Sequence, residues 1–185
     1  MKKIQYNAPV ILTFTFLAAA ALLMGELTGG ATTRLFFCVY RSSLADPLTY
    51  LRLFTHVLGH SGISHFTSNM LMVLILGPMV EERYGSRNTL LLIAVTAFVT
   101  GLIHCIISSD TALLGASGIV FMLIFLSSLA GMRNNRIPLT LILVAVIYFG
   151  QEIYSGLFSA DNISHLTHIV GGCCGTVLGI VLRKK

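Results

Sequence analysis

The sequence predicts an all-α membrane protein, a bundle of six transmembrane helices with both termini in the cytoplasm. Hydrophobic residues make up 55% of the chain and charged ones only 10%, where soluble domains carry about 25% charged. Mean hydropathy is +0.86. The apolar residues gather in six runs near the roughly 20 residues that a bilayer-crossing helix needs. The basic residues are unevenly shared between the two sets of connections. A length of 185 residues suits one domain, 1–185.

The first run, 9–27, follows Lys2 and Lys3. It is read as an uncleaved first helix because further spans follow it. The stretch 28–61 carries Arg34, Arg41, Pro47 and Arg52 and is too polar to span. It is expected to be a long outer loop between helices 1 and 2, lying partly in the interface. The remaining spans are 62–80, 89–107, 113–132, 137–157 and 163–182. Gly77-Pro78 falls late in the second, where neighbouring helices can absorb a kink. With the N-terminus inside, nine of the 12 basic residues are cytoplasmic: Lys2, Lys3, Arg83, Arg87, Arg133, Arg136, Arg183, Lys184 and Lys185. Only Arg34, Arg41 and Arg52 lie outside. No soluble domain is expected at either end, and no repeat or low-complexity segment stands out.

The net charge of +5 does not point to nucleic acid, because the basic residues are scattered over segment ends and form no stripe. Cys38, Cys105, Cys173 and Cys174 have no CxxC or metal-ligand spacing. They read as buried small hydrophobes.

Span direction places several polar side chains in one layer. Ser117 comes about four residues into the fourth span, His168 about five into the sixth, and His65 and Asn69 about three and seven into the second. At 1.5 Å per residue all four lie roughly 5–10 Å below the outer helix ends. Polar groups at such depth are costly unless they face protein or water. His65 and Asn69, spaced i,i+4, share a face. Gly171, Gly175 and Gly179 form a double GxxxG ridge, which allows close helix packing. If its partner is the fourth helix, with Gly115, Ala116 and Gly118, then His168 can approach Ser117. The ridge could instead serve dimerisation, and Ser117 could be a packing serine. Serine needs a base to act as a nucleophile, and histidine suits that task. Asp110, Glu152 and Asp161 fall in outer loops, so no buried carboxylate is expected to complete a triad. The reading is a Ser–His dyad, with His65, Asn69 and the backbone N–H groups opening the fourth helix as oxyanion donors.

These residues resemble the rhomboid intramembrane serine proteases, from about Leu51 to Gly179. "GASG" at Gly115–Gly118 is similar to the family's nucleophile motif, which implies Ser117 as nucleophile. "HIVGGCCG" at His168–Gly175 matches the pattern His-x-x-Gly-x-x-x-Gly, which implies His168 as base. "HFTSN" at His65–Asn69 resembles the second-helix motif whose His and Asn support the oxyanion. Phe121 stands where the family places an aromatic that stacks on the histidine. "EERYGS" at Glu81–Ser86 resembles the turn after the second helix, which is mainly structural. The family often has Trp-Arg in the first outer loop; here the pair is Leu51-Arg52, in a chain without Trp. His165 allows a shifted dyad, but only His168 has the glycine spacing.

The resemblance implies an intramembrane endopeptidase acting on other membrane proteins in the bilayer, cutting transmembrane or juxtamembrane segments that unwind easily. A helix hides its carbonyls in its own hydrogen bonds, and a helix-breaking residue lowers the cost of exposing one. It also implies the inner membrane, with the active site opening to the extracytoplasmic side and a gate and cap at the fifth helix and 157–162. No cofactor and no metal are expected. His56 and His60 have i,i+4 spacing but no clear third ligand, and read as holding the outer loop or lining a wet cavity. His104, Tyr6, Tyr84 and Tyr154 read as interfacial. An inactive relative that binds membrane helices would usually lose the serine or histidine. A small transporter would show an inverted repeat.

Overall fold

The computed structural model describes residues 4–130 and 162–182, with 139–140, 142–143, 146–147 and 150 between them. Among the described residues the regular elements are helices, joined at one point by an antiparallel bridge between Val39 and Leu113. Helices α1 (Pro9–Leu27), α4 (Ile63–Tyr84) and α5 (Ser86–Ile107) are long and apolar enough to cross a membrane. Helices α6 (Ser117–Ala130) and α7 (Asn162–Val181) contribute shorter apolar stretches. The expected fifth span, 137–157, lies largely outside the described residues.

Helix α6 is the centre of the bundle. From Gly118 to Leu126 every residue is buried, which is the condition for a helix that is apolar all round. Its widest interface is with α7, and glycine makes it possible. A Cβ on Gly171 would stand 2.9 Å from the Gly118 Cα, and one on Gly175 would stand 2.5 Å from the Met122 carbonyl oxygen. A Cβ on Gly179 would meet Leu126 and Leu129. Both partners advance in steps of four, so the two helices run in the same direction. The ridge is therefore engaged within the chain, against α6.

The 28–61 stretch folds as α2 (Ala31–Phe36), α3 (Pro47–Thr55) and a 3₁₀ turn, His56–Leu58. Asp46 caps α3 by accepting from the Leu48 N–H at 2.9 Å, with Pro47 opening the helix. Arg52 is only 3% exposed. Its Nε donates to the Leu35 carbonyl at 2.8 Å, its Nη1 lies 3.3 Å from Asp46, and its guanidinium sits over the Tyr40 ring. Thr55 donates to the Phe36 carbonyl. Arg41 donates to the carbonyls of Cys105 and Ile106, which would otherwise be orphaned at the end of α5. Asp46, Arg52 and Thr55 thus hold the stretch together and Arg41 ties it to α5, where Leu51, 43% exposed, takes no such part.

Two expectations are corrected at the end of α4. Glu81–Tyr84 is the last turn of the helix, not a turn beyond it, because Glu and Arg sustain a helix and the break comes at Gly85, with φ +82°. Tyr84 is buried beside Gly179, not an interfacial anchor. The same turn holds a buried carboxylate, remote from the polar layer. Glu81, 4% exposed, accepts from the N–H groups of Val10 (3.1 Å) and Ile11 (3.0 Å) and from the Ser86 hydroxyl (2.7 Å). It caps α1, which has no side-chain cap of its own, and the charge suits the positive end of the helix dipole. It lies about 24 Å along α4 from His65, too far to serve a dyad there.

Glu81→Ala would leave the half-buried donor of Val10 and the buried donor of Ile11 without an acceptor. The expected loss is about 3 kcal/mol of unfolding free energy, read as a lower midpoint in detergent titration. A midpoint equal to wild type would refute the cap.

Candidate active site

The fourth expected span opens later than its apolar run. Residues 113–116 are not helical. Leu113 exchanges both backbone hydrogen bonds with Val39, at 2.8 and 2.9 Å, and the Gly115 N–H donates to the His56 carbonyl at 3.0 Å. Gly115 has φ +119°, a region that a side chain makes costly. Ser117 is therefore the first residue of α6 and not the fourth. Irregular backbone at this depth is tolerated because protein surrounds it; Leu113, Gly115 and Ala116 are buried. The N–H groups of the first turn have no acceptor within the helix, and they sit at its positive end.

Helix α7 brings His168 to this point. Gly171 rests on the Gly118 backbone, and a Cβ on Gly118 would lie 3.8 Å from Thr167. The residues flanking His168 by one and three positions thus touch the residue after Ser117. One turn below Ser117, on its face of α6, the Phe121 ring lies parallel to the His168 ring, with centroids 4.5 Å apart and 8° between planes. The His165 side chain, residues 157–161, Glu152 and Tyr154 lie outside the described residues.

Helix α4 supplies the other wall. A Cβ on Gly115 would stand 2.8 Å from both Cε1 and Nε2 of His65 and 3.7 Å from the Asn69 amide nitrogen. Glycine is thus required there twice, by conformation and by space. The Asn69 amide nitrogen is buried with no acceptor among the described residues. Ser117, His168, Phe121, Gly115, His65 and Asn69 are brought to one place by three helices and the irregular segment that precedes α6.

Two further histidines lie behind this wall. His56 is 1% exposed and its Nε2–H donates to the Ala97 carbonyl at 3.0 Å. His60 is 3% exposed and its Nδ1–H donates to the Leu58 carbonyl at 3.1 Å. Burial pushes both down to about 4; for His60 the neighbouring His65 adds to this. His104, expected at the interface, is buried, with Nε2 on the Thr111 carbonyl at 3.1 Å. Among the described residues no three His, Cys, Asp or Glu side chains gather as metal ligands. Cys38 is buried, Cys105 and Cys174 are half-buried, and Cys173 is exposed, contrary to the expectation for it. A cavity of about 380 Å³ adjoins the site, with Arg34, Cys38, His60, Ser61 and Leu114 in its wall. Sequence reasoning passed over Ser61, whose hydroxyl reaches His65; the only signal was its i,i+4 spacing.

Residues 47–185 match the family model described as Rhomboid domain. The chain belongs to the rhomboid family. It is an integral membrane protein. This rhomboid is 29% identical to Rhomboid protease GluP of Bacillus subtilis over 174 residues, which covers 90% of the chain and 34% of the relative. It is 30% identical to Rhomboid-related protein 1 of Caenorhabditis elegans over 134 residues, 66% of the chain and 37% of the relative. It is 28% identical to mouse Rhomboid-related protein 2 over 157 residues, 74% of the chain and 52% of the relative. The rhomboid chain thus spans about a third to a half of the length of these relatives.

The depressed histidines set a pH dependence. An unfolded histidine titrates near 6.5, so as pH falls from about 6.5 toward about 4 the unfolded chain takes up protons that folded His56 and His60 refuse. Stability should therefore fall across that window and be insensitive to these groups above it. Unfolding midpoints should drop between pH 7 and pH 5, and less steeply in His56→Gln. Parallel profiles for the two proteins would contradict the assignment.

Proposed function

We propose that this rhomboid is an intramembrane serine endopeptidase working through a Ser117–His168 dyad. The observation that supports this most is the contact of Gly171 with Gly118, with Phe121 stacked on His168 one turn below the serine. In the proposed reaction His168 takes the Ser117 hydroxyl proton as Oγ bonds to the scissile carbonyl carbon. The oxyanion is held by the Ser117 N–H, His65 and Asn69, grouped around Gly115. His168 then gives its proton to the leaving amine as the C–N bond breaks. Water, deprotonated by His168, splits the acyl-enzyme, and Ser117 regains its proton. Such donors act on charge that develops in the transition state, where water is scarce.

The proposed substrates are other membrane proteins with a helix that unwinds easily. A carbonyl must leave its intrahelical bond to reach Ser117, and glycine or proline lowers that cost. The proposed setting is a single domain, 1–185, with six spans, both termini cytoplasmic and the site opening to the outer side of the inner membrane. The basic residues favour this orientation. No cofactor takes part in the proposed reaction.

The test is cleavage of a glycine-containing transmembrane reporter in lipid vesicles by the purified chain. Ser117→Ala and His168→Ala should each lower kcat by at least about a thousandfold, with unfolding midpoints unchanged. Equal cleavage by all three proteins would remove the dyad. Failure of the wild type against a panel of such reporters would leave a helix-binding rhomboid without proteolysis.

A further inference from the structure

His65 enters α4 from the turn His60-Ser61-Gly62. Gly62 is the N-cap and has no side chain to offer. Ser61 instead reaches one turn forward, its Oγ 3.1 Å from Nδ1 of His65. Only one proton can lie between those two atoms, that of the hydroxyl or that of the ring. The choice fixes the opposite edge of the ring. With the ring proton on Nδ1, Nε2 is a bare lone pair; with the hydroxyl donating, Nε2 carries N–H. Nε2 is the ring nitrogen beside Gly115, where the Asn69 amide nitrogen also points a buried donor. A second donor there suits an arriving oxyanion, and a lone pair would repel it.

The ring is also held against turning over. His60, 3% exposed, meets it edge to face with centroids 5.1 Å apart and packs in the same way on Phe66 at 5.4 Å. The His60 ring is itself tethered through Nδ1 to the Leu58 carbonyl. Rotation of the His65 ring by half a turn would exchange Nδ1 for a carbon and break the Ser61 bond.

We propose that Ser61 is a positioning residue: its hydroxyl donates to Nδ1 of His65 and keeps the proton of the neutral ring on Nε2, facing Gly115. The value of that proton for catalysis rests on the oxyanion role proposed for His65; its location does not.

Two measurements on the full chain in lipid bilayers test this. With ¹⁵N-labelled histidine, and His65→Gln to assign the signal, the wild-type ring should carry its proton on Nε2 and an acceptor-type Nδ1. A proton on Nδ1 overturns the proposal. In reporter cleavage Ser61→Ala should lower kcat by between about tenfold and a hundredfold, with KM within about twofold and the unfolding midpoint unchanged. Ser61→Thr, which keeps a hydroxyl, should restore most of the rate. Wild-type kcat in Ser61→Ala, or no rescue by threonine, overturns the positioning role. If the wild type cuts no reporter, the protease reading fails, and the nitrogen spectrum still decides where Ser61 holds the proton.

Discussion

Where α7 lies on α6 there is no room for a side chain at Gly171, because the Gly118 backbone occupies the space. Everything at the site depends on that approach. In a bilayer no hydrophobic effect drives one helix toward another, since lipid tails are as apolar as leucine, and close van der Waals packing must hold the pair. Three glycines at four-residue intervals provide that closeness over two turns, and the parallel run of the helices keeps His168 level with the start of α6. A wider crossing would separate the His168 ring from Phe121.

The opposite wall is set by backbone, not by side-chain packing. Gly115 is pinned to the His56 carbonyl, Leu113 is pinned to Val39, and within the 28–61 stretch Arg52 ties α3 to α2 while Arg41 ties the stretch to the end of α5. The bonds at Gly115, Leu113 and Arg52 satisfy polar groups that would otherwise be buried bare. The result is a helix start lowered into the bundle, its first-turn N–H groups free of helical acceptors.

Much of this was legible in the chain itself. The apolar runs located α1 and α5 to within three residues at each end, because burial in lipid imposes length and composition directly. The glycine ridge foretold a close helix contact because only glycine permits one, with α6 or a second copy as its partner. The start of α6 was not legible: "LLGASGIVF" is apolar enough to continue a helix, and the positive φ of Gly115 comes from its tertiary bond to His56. Glu81 escaped notice for the same reason. A carboxylate next to a second one at a helix end reads as solvated, and only the fold shows that it meets the beginning of α1. His104 and Tyr84 sit near span ends, where interface and interior cannot be told apart by position.

The cap on α1 also bears on the order in which the chain assembles. Helix α1 is made before α4, yet the carboxylate that satisfies its opening N–H groups belongs to residue 81, and the hydroxyl that steadies that carboxylate belongs to residue 86. Until α4 has emerged and the chain has turned at Gly85, the head of α1 must borrow water or headgroup oxygens for its donors. The first helix is thus lodged provisionally and locked late. The lock lies at the end of the bundle remote from Ser117.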